Sequence, residues 1–194
     1  LKSQDQLISG QPLMINSNGW HTGARSEPSP NCSDRPNGAK VSLLVIHNIS
    51  LPPDQFDSNY VCDFFLNSLD VSIDPYFKKI SNLHVSPHLL IGRKGELIQF
   101  VGLNDSAWHA GKSFFEGDEN CNDFSIGIEL IGADNTPYTD KQYQTLVSVT
   151  RDVMTCYPLV TRNRIVGHSD IAPERKTDPG PSFDWKRYLS ALNV

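Results

Sequence analysis

The sequence has no long hydrophobic run and no excess of basic residues. In its 194 residues, no stretch approaches the roughly 18 consecutive apolar residues of a membrane-spanning helix. There are 17 Lys and Arg against 22 Asp and Glu, which gives a net charge of −5, and no basic block stands out. A strongly basic surface would favour nucleic acid or an anionic membrane as the main partner. We therefore expect neither a nucleic-acid partner nor a membrane partner.

Cysteines are few for the length of the chain and are scattered along it. None lies within four residues of another, so the chain has no CxxC metal motif and no disulfide framework of the kind found in small secreted domains. Residues 1–19 also lack the apolar segment of a signal peptide. We expect a cytoplasmic protein, and a monomer, with reduced thiols at Cys32, Cys62, Cys121 and Cys156.

The chain does contain apolar runs that alternate with amphipathic segments, over a length typical of one domain. Residues 1–17 are predicted to form a loosely ordered N-terminal extension, and residues 18–194 a single domain. A T-x-x-Q capping box at Thr139 and Gln142 predicts a helix over residues 139–157. Further helices are predicted over residues 57–69 and from residue 182 onward, and strands over residues 41–47, 88–91, 97–101, 124–130 and 165–168. This order favours an α/β fold with a central mixed β-sheet flanked by helices and a functional site at the strand ends.

Two of the six histidines occupy an unusual place, because each closes an apolar run. His47 ends VSLLVIH, and His168 ends IVGH. Ligands collect at strand ends in α/β sheets, and a buried imidazole must find a polar partner. The two rings could therefore be metal ligands, or each could simply hydrogen-bond a nearby carbonyl group.

A catalytic zinc site would need a third protein ligand. Asp178 is the best candidate, because it follows His168 by ten residues in a proline-rich loop that restricts the freedom of the chain. The sequence Asp-Pro-Gly is also a strong turn signal, so Asp178 could instead cap a turn. His88 and His109 remain rival third ligands.

Glu129 and Lys176 are candidates for acid–base and electrostatic roles. On its predicted strand, Glu129 shares a face with the small residues Ser125 and Gly127, which leaves room for a group to lie against the sheet. A carboxylate at a strand end suits a general base. Lys176 would point the same way as Asp178 if that segment were extended, and it could then stabilise an oxyanion. A surface glutamate and a solvated lysine are the alternatives.

The loop AWHAG is a candidate for ligand contacts. Its aromatic Trp108 and the imidazole of His109 precede two small residues. Such a loop would suit a sugar or a peptide, and a purely structural loop fits its composition equally well.

Several strings of the sequence together resemble a known enzyme family. They are VIHNISLPPDQF, SPHLLIGRKGELIQFV, AWHAG, CNDFSIGIEL, YTDKQYQTL and GHSDIAPERKTDPGPSFDW. In this combination they resemble the AmpD-type N-acetylmuramoyl-L-alanine amidases of the zinc amidase superfamily, which also includes phage amidases and peptidoglycan recognition proteins. The resemblance runs from Trp20 to about Trp185.

The resemblance implies a zinc hydrolase and a role for each candidate residue. The implied ligands of Zn²⁺ are His47, His168 and Asp178. Glu129 is the implied catalytic acid/base, and Lys176 the implied stabiliser of the transition state. The implied substrate contacts are Asn48, Trp108 and His109.

The resemblance also implies the reaction. Enzymes of this type hydrolyse the amide bond between N-acetylmuramic acid, in its 1,6-anhydro form, and L-alanine in muropeptides recovered from the cell wall. An anhydro-muropeptide is therefore the expected partner, and peptidoglycan recycling in the cytoplasm the expected role. In bacteria with an inducible chromosomal β-lactamase, loss of such an activity raises β-lactamase expression.

The chain departs from the family pattern at a few places. Residues 1–17 extend beyond the usual start, Ile131 replaces an acidic residue in IELIG, and His84 and Asn120 stand where some relatives have arginine. Two other interpretations stay open: a non-catalytic peptidoglycan-binding module of the same fold, and an exported enzyme that lyses the cell wall. The complete set of implied site residues argues against the first, and the missing signal sequence against the second.

Overall fold

A mixed six-stranded sheet forms the centre of the molecule. The sequence predicts the mixed sheet and five of its strands, but not the short edge strand at Arg25–Ser26. The computed structural model describes residues 7–8, 11–12 and 14–192. The strands of the sheet are β1 (Arg25–Ser26), β2 (Leu43–Ile49), β3 (Leu89–Ile91), β4 (Leu97–Gln99), β5 (Ser125–Ile131) and β6 (Ile165–Gly167). They lie side by side in the order β6-β2-β5-β3-β4-β1. β3 and β4 are antiparallel, and every other neighbouring pair is parallel.

In the part of the chain that the structure describes, five helices cover the sheet. They are α1 (Tyr60–Phe65), α2 (Pro75–Ile80), α3 (Asp140–Cys156), α4 (His168–Ile171) and α5 (Trp185–Leu192). Shorter elements are the strand pairs Leu7–Ile8 with Gln11–Pro12, Cys32–Ser33 with Ser106–Ala107, and Phe114–Phe115 with Asp118–Glu119, and the 3₁₀ turns Cys121–Asp123 and Arg162–Arg164. α3 opens with the predicted capping box, in which Thr139 and Gln142 bond each other's backbone.

β2 and β5 run parallel at the centre of the sheet, and their side chains alternate between its two faces. On one face, Ile126, Ile128 and Leu130 are buried in a core with residues of α3 and α5. On the other face, α1 and α2 cover the part of the sheet near β3 and β4. Ser125 and Glu129 also lie on this second face, so the predicted alternation along β5 is confirmed.

Several predicted boundaries are wrong, each for a local reason. The helix predicted over residues 57–69 is shorter, because Asn67 adopts a left-handed conformation with φ of 58°. The last helix begins at Trp185 rather than near residue 182, because the Asp184 carboxylate accepts the backbone N–H of Arg187 and caps it. α2 was not predicted from the sequence at all.

The strand ends also differ from the prediction. β2 continues two residues beyond His47, since its pairing with β5 extends to Ile49. β6 ends at Gly167, one residue before His168, because the Asp170 carboxylate accepts the Gly167 N–H at 2.6 Å and starts α4 there. His168 is therefore the first residue of a helix rather than the last of a strand.

The predicted N-terminal extension is only partly described. Ile15 is buried in the core beneath α3, and it pairs with His21 in an isolated bridge. Most of residues 1–13 lies outside the described residues, so the extension stays a prediction.

All four cysteines are unpaired. Among the described residues, no helix has the length and apolar character needed to cross a membrane.

Candidate metal centre and catalytic cleft

Three buried side chains converge at one end of the central strands. His47 projects from β2, His168 opens α4, and Asp178 lies in the proline-rich loop that follows. Nδ1 of His47 lies 2.9 Å from Nδ1 of His168 and 3.2 Å from Oδ2 of Asp178. Nδ1 of His168 lies 3.0 Å from the same Oδ2. The three atoms thus form a nearly equilateral triangle.

This triangle fits a metal ion better than a set of hydrogen bonds. Each imidazole N–H lies in the plane of its ring and points at one acceptor, so three mutual contacts cannot all be well-formed hydrogen bonds. Ligand atoms about 2.0–2.1 Å from a tetrahedral zinc ion lie about 3.3 Å from one another. The observed separations of 2.9–3.2 Å come close to that spacing. His47, His168 and Asp178 therefore form a candidate metal site.

The rival third ligands have other partners. His88 accepts the Gly127 N–H at Nδ1 and donates from Nε2 to the Asp105 carbonyl, at 3.0 Å in both cases. His109 contacts the ring of His47 on the side away from the triangle, 2.9 Å from its Nε2. Neither ring reaches the position of a third ligand.

The environment favours the protonation states that a metal requires, namely neutral imidazoles and an ionised carboxylate. Burial lowers the pKa of His47 to about 4. Burial alone would raise the pKa of Asp178, but hydrogen bonds from His168 and His47 outweigh it and hold that pKa well below its usual range. Both groups are therefore poised as ligands at neutral pH.

The loop that carries Asp178 is held by side chains from other elements. The carbonyl of Pro179 accepts the Tyr138 hydroxyl at 2.8 Å and the Asn48 amide at 3.1 Å. The same amide nitrogen of Asn48 donates to Oδ1 of Asp134 at 2.9 Å, so both of its hydrogens are used. Asn48, a predicted substrate contact, is thus also a brace of the loop that carries Asp178, and its carbonyl oxygen remains for a ligand.

Glu129 lies beside the triangle, because it is the residue of β5 that pairs with His47. Its Oε2 is buried without a hydrogen-bond partner among the described residues. Burial raises the pKa of Glu129 well above its usual value, with a further rise from Asp178 and an opposing effect of Lys176. A carboxyl group with an unpartnered oxygen and a raised pKa is suited to accept and return a proton.

A cleft of about 550 Å³ opens onto these groups. Its polar wall includes Asn48, His109, Glu129, His168, Lys176 and Asp178. The apolar part of its lining includes Leu51, Phe64, Phe65, Tyr76, Ile80 and Leu83. Lys176 also lines this cleft. Its segment is not extended, contrary to the arrangement considered from the sequence, because the backbone N–H of Lys176 donates to the Ala172 carbonyl in a turn. Trp108 lies outside the cleft lining, with 37% of its surface exposed.

Comparison with known proteins identifies the family. A family model described as N-acetylmuramoyl-L-alanine amidase matches residues 37–181. The chain belongs to this amidase family. The sequence of this amidase is 54% identical over 174 residues to the 1,6-anhydro-N-acetylmuramyl-L-alanine amidase AmpD of Haemophilus influenzae, which covers 90% of this chain and 95% of the relative.

Solved structures agree with this assignment. The amidase superposes on a crystal structure of a selenomethionine derivative of AmpD with a TM-score of 0.89 and 50% identity, over 92% of this chain and 99% of that one. It also matches the Escherichia coli amidase AmiD, solved with the substrate anhydro-N-acetylmuramic acid-L-Ala-D-gamma-Glu-L-Lys, with a TM-score of 0.57 and 26% identity over 84% of this chain and 66% of that one. The resemblance seen in the sequence is confirmed.

Sequence reasoning missed the carbonyl group that supports the second histidine of the amidase site. Nε2 of His168 contacts the Ala110 carbonyl at 3.1 Å, and Arg175 donates to the same oxygen at 2.7 Å. Arg175 also donates to the Lys112 carbonyl at 2.8 Å and so fixes the loop after His109. The role of a backbone carbonyl cannot be recognised from residue types. The small residues of AWHAG indicated only that this loop could contact a ligand.

Proposed function

We propose that this amidase is a zinc hydrolase of peptidoglycan recycling, which cleaves the bond between 1,6-anhydro-N-acetylmuramic acid and L-alanine in muropeptides. The observation that carries the proposal is the triangle of two imidazole nitrogens and one carboxylate oxygen beside the unpartnered Oε2 of Glu129. The name of the Haemophilus influenzae relative supports the choice of the anhydro sugar.

His47, His168 and Asp178 would hold the zinc ion through Nδ1, Nδ1 and Oδ2. Bound zinc supplies a Lewis acid for the amide carbonyl and lowers the pKa of a bound water to about 7. Glu129 takes a proton from the attacking water on its unpartnered Oε2 and returns it to the departing amine of the L-alanyl peptide. The raised pKa of Glu129 lets the carboxyl group keep that proton between the two steps.

Lys176 would act on the oxygen of the scissile carbonyl. Its ammonium group lies close enough to Glu129 to influence the pKa of that carboxyl, and it lines the same cleft. A fixed cation is most useful where negative charge develops in the transition state. Lys176 therefore stabilises the developing oxyanion rather than the neutral amide.

The proposed substrate contacts divide between the cleft and the surface beside it. The peptide and its amide bond lie along the polar part of the cleft, which Asn48 and His109 line. The half-exposed indole of Trp108 is available for stacking on a sugar outside the cleft. We place the reaction in the cytoplasm, because four unpaired thiols suit a reducing compartment.

Mass spectrometry of digests tests this function. The protein should release the L-alanyl peptide from anhydro-muropeptides far faster than from intact sacculi. Glu129→Gln should keep its zinc and lose about 10²–10⁴-fold in turnover, since an amide cannot carry the proton. His168→Ala should lose both zinc and activity. Cleavage of sacculi at the rate of the soluble muropeptide would favour the wall-lytic interpretation, and a Glu129→Gln activity within a few-fold of wild type would assign the proton transfer to another group.

A further inference from the structure

A chain of polar groups leads from the proposed metal site through His109, which lines the cleft, into the protein. Nε2 of His47 lies 2.9 Å from Nδ1 of His109. Nε2 of His109 lies 3.1 Å from the hydroxyl of Ser125, and that hydroxyl donates to the Cys121 carbonyl at 2.5 Å. Three polar contacts thus connect His47 with His109, Ser125 and Cys121, which lie 62 or more residues further along the chain.

The positions of the protons in this chain follow from its metal end. If Nδ1 of His47 binds a metal, the proton of that ring must be on Nε2, which then donates to His109. Nδ1 of His109 is therefore an acceptor, and the proton of its ring is on Nε2. That proton goes to Ser125 Oγ, whose own hydrogen is directed at the Cys121 carbonyl. Every donor in the chain meets an acceptor in this single arrangement.

The ring of His109 is also held in place by packing. It lies flat against Gly127 of β5, where a Cβ atom would stand only 2.5 Å from Nδ1 and 2.8 Å from Cδ2. Its ring meets that of His47 at an interplanar angle of 85° with 5.0 Å between centroids. The backbone N–H groups of His109 and Ala110 both donate to Oδ1 of Asn122, at 3.1 and 2.8 Å. The imidazole thus occupies the space that the small residues of β5 leave open.

We infer that His109 is a positioning residue, which with Ser125 fixes the tautomer and orientation of His47 as a metal ligand. The inference rests on the zinc site proposed above. Both ring nitrogens of His109 are engaged within the protein, so it exchanges no proton with the substrate. The two histidine ligands are supported differently, since His168 relies on the Ala110 carbonyl and His47 on a second imidazole. Partners of this kind are typically worth about 10–100-fold in metal affinity.

Two substitutions of His109 separate a hydrogen-bonding role from a packing role. His109→Leu keeps the bulk of the side chain and removes the acceptor, whereas His109→Asn places an amide oxygen where Nδ1 was. Zinc affinity, measured by competition with a chromophoric chelator, should fall about 10–100-fold in His109→Leu and return to within a few-fold of wild type in His109→Asn. Ser125→Ala should show a smaller loss, since it leaves the contact with His47 in place.

Three results would contradict the inference. One is wild-type zinc affinity in His109→Leu, and another is an equal loss in both His109 variants, which would indicate packing alone. If His109→Leu does not fold, ¹⁵N NMR of the zinc-loaded wild type still decides, because a proton on Nδ1 of His109 would exclude the proposed arrangement. Failure of the wild type to bind zinc at all is a different outcome, and it would overturn the proposed function itself.

Discussion

Replacing Gly127 by alanine should weaken the metal site without changing any ligand. The added Cβ would stand 2.5 Å from Nδ1 of His109, whereas ordinary van der Waals contact begins at 3.4 Å, so the ring must retreat by about 0.9 Å. The contact of that nitrogen with His47 Nε2 measures 2.9 Å, and a hydrogen bond is lost by about 3.6 Å. Directed away from His47, a displacement of this size would lengthen the contact beyond that limit and release His47 from its partner.

We expect Gly127→Ala to lower zinc affinity about 10–100-fold and to destabilise the zinc-free protein by about 1–3 kcal/mol, the usual cost of overpacking. Chelator competition and urea unfolding measure the two effects. Gly92→Ala is the matched control, because the three atoms nearest to its added Cβ all belong to the flexible side chain of Glu96. Wild-type zinc affinity in Gly127→Ala, with the ring of His109 displaced in its structure, would refute the reasoning.

Three further predictions concern the polar groups of the site. Lys176→Met should keep its zinc and lose about 10²–10³-fold in kcat at nearly unchanged KM, and a raised KM with normal kcat would make Lys176 a substrate anchor. In metal-free protein, Glu129→Gln should raise the free energy of unfolding. This gain should grow as pH rises from 4.5 toward the raised pKa of Glu129 in the native state, because the carboxyl group ionises first in the unfolded state. A gain that is independent of pH would contradict this. A 100-fold excess of zinc over its dissociation constant should stabilise the wild type by about 2.7 kcal/mol, whereas His168→Ala should respond much less in thermal unfolding.

Regular patterns in the sequence predicted the sheet and the longest helix. The alternation along β5 and the capping box at Thr139 required no tertiary information, because each is a local pattern with one geometric solution. α2 was missed although Asp74 caps it and Pro75 opens it. Six residues are too few for a periodic apolar stripe, and such a short helix is held mainly by the core that it covers.

The site could be predicted in part for the same reason. The proposed ligands lie at the ends of apolar runs or in a stiff loop, and both features are visible in the sequence. The choice of Asp178 over His88 and His109 came from the family resemblance. The role of His109 could not be predicted, because it depends on how the loop after β4 folds back over β5. The small residues Ser125 and Gly127 indicated free space, but not which group would fill it.

The lengths of the strands bear on how copies of the amidase meet. The strands are longest at the centre of the sheet, where β2 and β5 each have seven residues. The two edge strands are much shorter, with three residues in β6 and two in β1. Unpaired strand edges invite association with a second chain. Within the described part of the chain, an incoming strand would find only two or three residues to pair with at either edge. Self-association through the described edges of this sheet would therefore have to rely mainly on side-chain surfaces, because those edges offer too little backbone to continue the sheet from one copy to the next.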